Sequence, residues 1–221
     1  VNAVPVFVDI HPGFSDGLLG LVTRGTIGRF EKVSLEIPLA PTEPYREPFD
    51  GEIAEANWFA QSGAWSVANG TYNNATVQTT NVTLLPPDIG PMPEQIQSFT
   101  FRVRMLNPYS GPGNLVGVVF HHQDRRDYAE VVFSPTGVAQ VRRIQGFGIQ
   151  TLATASYAGR PRTWFDVKFE LVSLNSISVS VDGQQLFKEV STGDKFSGRF
   201  GLIRHWAPGK FDDAWWDRGV F

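Results

Sequence analysis

The chain has 221 residues, of which 42% are apolar, and a formal net charge of −3 at pH 7. This balance excludes the basic surface that a nucleic-acid-binding protein needs. The sequence also has no run of about 18 apolar residues, so it predicts no membrane-spanning helix. The sequence has no cysteine, which excludes disulfides, thiolate metal sites and cysteine nucleophiles. The length and apolar content suit a single all-β sandwich.

The first 37 residues repeat the pattern of residues 181–216. Segment 14–35 reads FSDGLLGLVTRGTIGRFEKVSL, and segment 196–216 reads FSGRFGLIRHWAPGKFDDAWW. One inserted residue, Asp16, keeps the two segments in register. Residues 1–37 are therefore either the tail of a preceding module in a tandem array or extra strands that pack on the main module. In the first case, neighbouring repeats of the same parent protein are expected partners.

A proline-rich linker is predicted at 38–46, and one complete module is predicted at 47–221. Turn residues divide this module into short segments with apolar alternation, at a spacing of roughly 8–12 residues. This spacing is typical of an antiparallel sandwich. The predicted strands are 63–69, 76–83, 97–106, 115–122, 127–133, 138–145, 149–155, 162–172, 175–181, 184–189, 199–205 and 210–216.

Three stretches of the module carry a recognisable pattern. They are the opening FDG with SGAWSVANGTY, the central GVVFHHQDRRDYAEVVFSPTGVAQVRR, and the closing FSGRFGLIRHWAPGKFDDAWW. They resemble the LamG-like jelly rolls of the concanavalin A-like lectin/glucanase superfamily. The resemblance implies two antiparallel sheets, with ligands lying across a concave sheet. It does not imply an activity, because this superfamily holds lectins, carbohydrate-binding modules, hydrolases and lyases alike.

Strand alternation predicts a polar patch on the outer face of three neighbouring strands. Val118 and Phe120 face inward, so His121 faces outward, and a loop at 123–126 places it opposite Tyr128. The patch consists of His121, Tyr128, Glu130, Gln140 and Arg142. Such side chains stack on sugar rings and bind hydroxyls or carboxylates. The alternative is a solvated sheet face with a cross-strand ion pair between Glu130 and Arg142.

A second candidate binding group lies where a predicted strand ends and a loop begins. It consists of Arg204, His205 and Trp206, and the first copy of the repeat has Thr23, Arg24 and Gly25 at these positions. An aromatic ring on such a loop is a suitable platform for a sugar. The difference between the copies fits either a binding loop or sequence drift.

A calcium site is a further hypothesis, because the resemblance implies a structural calcium ion in many members. Asp50, Asp212 and Asp213 are the candidate ligands, and a hard cation needs about six oxygens or more. The alternative is that these carboxylates form a hydrogen-bonded strand end. No other cofactor is predicted.

Three functions remain open from the sequence. The first is an extracellular or cell-surface module that binds a polysaccharide or glycan on the concave sheet. The second is a polysaccharide lyase for a uronate-containing glycan, with Tyr128 or His121 as base and Arg142 beside the carboxylate. The third is a non-catalytic structural spacer. A two-carboxylate glycosidase is disfavoured, because no strand has the Glu-x-Asp-x-x-Glu spacing of the superfamily's retaining glucanases.

Overall fold

The described part of the chain is built from β-strands. The computed structural model describes residues 44–50, 58–76, 80–85, 99–193 and 197–217. No membrane-crossing helix is present within these ranges. The strands are Tyr45–Glu47 (β1), Phe59–Ala60 (β2), Trp65–Ala68 (β3), Thr71–Asn74 (β4), Thr80–Leu84 (β5), Phe99–Leu106 (β6), Leu115–Asp124 (β7), Asp127–Phe133 (β8), Val138–Gln145 (β9), Gly148–Ser156 (β10), Trp164–Ser173 (β11), Ser176–Val181 (β12), Gln184–Ser191 (β13), Arg199–His205 (β14) and Gly209–Asp217 (β15).

These strands form two antiparallel sheets. An eight-stranded sheet has the order β13-β12-β11-β6-β15-β4-β3, with β1 paired to β15. A seven-stranded sheet has the order β10-β9-β8-β7-β14-β5-β2. Successive strands change sheet after β1, β2, β4, β5, β6, β10, β13 and β14, as two packed sheets of a jelly roll require. The predicted all-β jelly-roll sandwich is confirmed.

The core lies between the inner faces of the two sheets. Phe120 and Phe200 of the seven-stranded sheet contact Phe169 of the eight-stranded sheet, with ring centroids 5.1 and 5.2 Å apart. All three side chains are fully buried. Each such ring contributes about 1.5–3 kcal/mol through removal of apolar surface from water. The predicted inward direction of Val118 and Phe120 is correct, because both belong to this core.

The hairpin of β3 and β4 differs from the predicted strand pattern, which has no strand at 71–74. Asn69 and Gly70 both adopt positive φ, 54° and 67°, in the two-residue turn between these strands. An Asn-Gly dipeptide is the preferred turn of a tight hairpin, so the signal was present in the sequence. The strand was missed because its residues, Thr-Tyr-Asn-Asn, have little apolar alternation.

The N-terminal repeat cannot be compared with the structure, because residues 1–37 lie outside the described residues. The chain divides into a unit at Val1–Leu39 and a unit at Ala40–Phe221. Within the second unit, β1 begins at Tyr45 and pairs with β15, with Arg46 opposite Trp215. The last two residues of the predicted linker thus belong to the sandwich.

Candidate functional site

A cleft of about 600 Å³ lies on the outer face of the seven-stranded sheet. β8 and β9 supply much of its lining, and the turn after β9 and the loop after β14 contribute aromatic side chains. The predicted residues that line it are Tyr128, Glu130, Gln140, Arg142, His205 and Trp206. Strand alternation places the first four on one face, because residues two apart on a strand point the same way. The structure therefore brings together six residues from the two predicted binding groups.

Glu130 is the centre of a buried charge network in this cleft. It lies directly opposite Arg142 in the register of β8 and β9, and the Arg142 Nη2 contacts Glu130 Oε1. The His205 Nε2 donates a hydrogen bond to the other carboxylate oxygen, Oε2, over 2.8 Å. Glu130 is only 1% exposed. A carboxylate so deeply buried needs such partners, because an unpaired buried charge is strongly destabilising.

These partners decide the protonation state of Glu130. Burial alone would raise the pKa of its carboxyl group. His205 and Arg142 outweigh this effect through charge and hydrogen bonding, and the pKa of Glu130 is lowered below its ordinary value. Glu130 is therefore a carboxylate near neutral pH. It accepts hydrogen bonds and has no proton to donate to a substrate.

His205 reaches Glu130 across β7, which lies between β14 and β8 in the sheet. At the intervening position β7 has Gly117, whose Cα partners are Ile203 on one side and Val132 on the other. A Cβ at Gly117 would overlap the backbone carbonyl of Val131, so glycine allows β7 and β8 to approach closely here. The second ring nitrogen, His205 Nδ1, lies 2.8 Å from the Thr80 hydroxyl on β5. Both nitrogens of the imidazole are therefore held in place.

Two exposed aromatic side chains stand on the rim of the cleft. Phe147 lies in the turn between β9 and β10 and is 88% exposed. The Arg126 guanidinium lies 4.3 Å from the centre of its ring. Trp206 follows β14 and is 61% exposed, with a backbone φ of 63°. Exposed planar rings of this kind provide apolar faces against which sugar rings stack.

The surroundings of Tyr128 do not suit its predicted role as a catalytic base. Its side chain is buried, and its ring stacks with that of His122 at 5.8 Å. Burial raises the pKa of the phenol, and the nearby Glu130 carboxylate raises it further, whereas Arg142 opposes this shift. A base must lose its proton before it can accept another, so this surrounding works against Tyr128 as a general base.

The predicted placement of His121 opposite Tyr128 is wrong. β7 runs on to Asp124, but its register with β8 shifts between Phe120 and Asp124. His121 itself has a φ of 54°, and its Nδ1 accepts a hydrogen bond from the Ser197 backbone N–H. Such an irregularity reverses the alternation that follows it. His122, and not His121, therefore lies beside Tyr128, and His121 does not line the cleft.

Arg204 points away from the cleft, although its neighbours His205 and Trp206 line it. The Arg204 side chain is fully buried, and its Nε donates a hydrogen bond to Asn74 Oδ1 of β4 over 3.0 Å. β4 belongs to the other sheet, so Arg204 extends into the space between the sheets. Burial lowers the pKa of its guanidinium to about 10. In this position Arg204 links the two sheets and cannot reach a ligand in the cleft.

Two candidate calcium ligands, Asp212 and Asp213, lie on β15 of the eight-stranded sheet, where arginines contact both of them. Arg104 Nη1 is 3.2 Å from Asp212 Oδ2, and Arg46 Nη2 is 3.0 Å from Asp213 Oδ1. Asp50 lies close enough to raise the pKa of Asp212, after burial and Asp213. Among the described residues, no group of three or more histidine or acidic side chains is arranged to hold a metal ion. A bound calcium ion stays a prediction.

Phe147 and Thr80 were missed by the sequence reasoning. Phe147 lies in the Gly-Phe-Gly turn at 146–148, which is recognisable as a turn, but the exposure of its ring depends on the fold. Thr80 opens β5, which is far from β9 in sequence and reaches the cleft only through the sheet order. An aromatic residue at the tip of a tight hairpin was the one available signal for Phe147.

No protein-family model matches this chain, and no curated protein shows significant sequence similarity to it. Solved structures are similar in fold. A carbohydrate-binding module, CBM66 from Bacillus subtilis, superposes with a TM-score of 0.61 at 11% identity, over 72% of this chain and 93% of that one. The chain has a concanavalin A-like jelly-roll fold.

Carbohydrate recognition domains are also similar in fold. The carbohydrate recognition domain of Emp47p matches with a TM-score of 0.57 at 14% identity, over 74% of this chain and 89% of that one. The corresponding domain of Emp46p in its potassium-bound form matches with a TM-score of 0.57 at 8% identity, over 82% and 97%. At these identities the likeness concerns the fold, and function has to be argued from the cleft.

Proposed function

We propose that this chain is a carbohydrate-binding module that binds a glycan in the cleft over β8 and β9. The observation that carries the proposal is the combination of a polar floor, centred on Glu130 and Arg142, with exposed rings of Phe147 and Trp206 on the rim. Sugars present apolar ring faces and polar hydroxyl edges, so they require both kinds of surface at once. The volume of about 600 Å³ is in the range of small-ligand sites and suits a short segment of a glycan.

The structural neighbours support the same proposal. One of them is a carbohydrate-binding module, and others are carbohydrate recognition domains. An extracellular or cell-surface location belongs to the proposal, because accessible polysaccharides are found there. The sequence repeat adds the suggestion that the parent protein presents such modules in tandem.

A lyase is a weaker proposal for this cleft. His121 does not line it, and Tyr128 is buried with a raised pKa. A two-carboxylate hydrolase finds no support either, since Glu130 is the only acidic side chain among the described residues of the lining. Binding without bond cleavage therefore fits the described groups best.

The proposal is tested by screening the protein on a glycan array and measuring the best glycans by isothermal titration calorimetry. Trp206→Ala and Phe147→Ala should each weaken binding by about tenfold or more, because rim aromatics of this kind dominate the energy of a contact. Thermal unfolding should change little in either variant, since both rings are largely exposed. Incubation of the glycans with the protein should release no product.

Phe59→Ala provides a matched control for these substitutions. Phe59 is also an exposed aromatic residue, 54% accessible, but it lies on β2 at the far edge of the same sheet. Its removal should leave glycan affinity unchanged. A folded wild-type protein that binds no glycan on the array would overturn the proposal and favour a structural spacer, and so would binding that neither rim substitution affects.

A further inference from the structure

We infer that the cleft selects electrically neutral glycans and disfavours uronate-containing ones. This inference rests on the proposed function and specifies its ligand class. It follows from how the charges on the cleft floor are used: each cationic side chain that lines the cleft is already engaged by Glu130. An acidic sugar would bring a second carboxylate to a floor where no described cation is left to receive it.

The charges of the lining can be followed group by group. Among the described lining residues, Glu130, Arg142 and His205 are the groups that carry or can carry charge near neutral pH. Arg142 contacts one oxygen of Glu130, and His205 donates to the other. The charges of Glu130 and Arg142 cancel each other. The register places Arg142 directly opposite Glu130, so the pairing is built into the sheet.

Burial makes this pairing difficult for a ligand to break. The Glu130 and Arg142 side chains are 1% and 13% exposed, so water screens their interaction poorly. A uronate that took the guanidinium for itself would leave the buried Glu130 without one of its two partners. A uronate that left the pair intact would place its own carboxylate beside that of Glu130. Both arrangements make the binding free energy of a uronate less favourable than that of a neutral sugar.

Other polar groups of the lining suit hydroxyls. Gln140 is half-exposed and offers an amide donor and an amide acceptor on the same strand face as Arg142. Thr136 lines the same cleft with an exposed side chain. Arg126 stacks on Phe147 outside the lining and is exposed to solvent, so its charge is largely screened at physiological salt. The surfaces open to a ligand are therefore neutral donors, neutral acceptors and rings.

The test compares uronate-containing glycans with their carboxyl-reduced forms on one array, followed by calorimetry on matched pairs. Carboxyl reduction converts each uronate into the corresponding neutral hexose and keeps the linkages. Wild-type protein should bind the neutral members and should bind the reduced form of a pair at least about tenfold more tightly than the acidic form. Equal or tighter binding of the acidic form overturns the inference and leaves the proposed function standing. An array with no bound glycan overturns both.

Two variants should change this preference in a predictable direction. Glu130→Gln releases the charge of Arg142, and binding of uronate glycans should rise about tenfold relative to wild type. Asp212→Asn is its control, because it makes the same change of charge on the other sheet. It should change the affinity for neither the uronate glycan nor its carboxyl-reduced form.

A second variant avoids the buried network, in case Glu130→Gln does not fold. Gln140→Lys adds an unpaired cation to the half-exposed lining, and Gln185→Lys makes the same substitution on exposed β13. Uronate binding should increase for Gln140→Lys and stay unchanged for Gln185→Lys. Failure of both cleft variants to gain uronate binding would overturn the charge argument.

Discussion

The outer faces of the two sheets carry similar side chains in different surroundings. On the seven-stranded sheet, Glu130 and Arg142 form a pair whose side chains are 1% and 13% exposed. On the eight-stranded sheet, Asp212 and Arg104 form a pair at 18% and 39%, and the Arg104 guanidinium also lies 5.2 Å from the centre of the Trp164 ring. Both faces thus combine an acid, an arginine and aromatic residues. The cleft described above lies on the first face, so residue types alone do not make the site.

The largest expected difference between the two faces is in the energy of their ion pairs. Glu130→Gln or Arg142→Gln should lower the free energy of unfolding by about 3–5 kcal/mol, because each leaves its partner charged and buried. Asp212→Asn or Arg104→Gln should change the free energy of unfolding by less than about 1 kcal/mol, because solvent reaches that pair. Urea unfolding of the single and double variants of each pair measures both couplings. Equal couplings would show that the contrast in burial has no energetic meaning.

The next difference is in the response of stability to pH. The pKa of Glu130 is lowered from 4.5, so the folded state binds the proton more weakly than the unfolded state. Its contribution is present above about pH 4.5 and is lost as the pH falls through the lowered folded value. The pKa of Asp212 is raised from 3.8 by burial and by Asp213, so its contribution has the opposite sign and is lost as the pH rises through the raised value.

Thermal unfolding between about pH 2.5 and 7 distinguishes these two signs. Glu130→Gln should reduce the acid-induced loss of melting temperature seen in wild type. Asp212→Asn should instead remove a small loss that occurs as the pH rises from the acid side. A steeper acid-induced loss in Glu130→Gln would contradict the assignment of a lowered pKa to Glu130.

The smallest expected difference is in salt dependence. Raising the salt concentration to about 1 M shortens the screening length to about 3 Å, which weakens exposed charge interactions much more than buried ones. The stability difference between wild type and Asp212→Asn should therefore shrink by a few tenths of a kcal/mol. The difference between wild type and Glu130→Gln should hardly change. Parallel urea titrations at low and high salt measure both, and equal salt sensitivity would contradict the contrast.

The sequence predicted the features that depend on local alternation. The outward direction of Tyr128 and Glu130 followed from the period of a strand, and so did the opposition of Glu130 and Arg142. The turn of β7 into β8 was harder, because one irregularity at His121 reversed the alternation and left no signature in composition. A single residue of this kind changes which of two adjacent histidines reaches Tyr128.

Contacts between distant segments could not be predicted in the same way. His205 meets Glu130 only because β14 lies next to β7, which in turn pairs with β8. Thr80 meets His205 because β5 pairs with β14 and the two residues lie opposite each other. Sheet order determines these contacts, and strand alternation in a single sequence carries little information on which strands become neighbours. The sequence therefore predicted the residues that β8 and β9 contribute to the cleft floor, but not that His205 of β14 contacts them.

The left-handed backbone of Trp206 explains what is unusual about the residue that the second copy of the repeat has at this position. A residue with a side chain adopts a φ of 63° at a cost of about 1 kcal/mol or more, whereas glycine adopts it freely. The first copy of the repeat has Gly25 at the corresponding position. Selection for folding alone favours glycine there, and selection for recognition favours the ring. We therefore expect that, across a tandem array, tryptophan at this position distinguishes the modules that are under selection to hold a ligand.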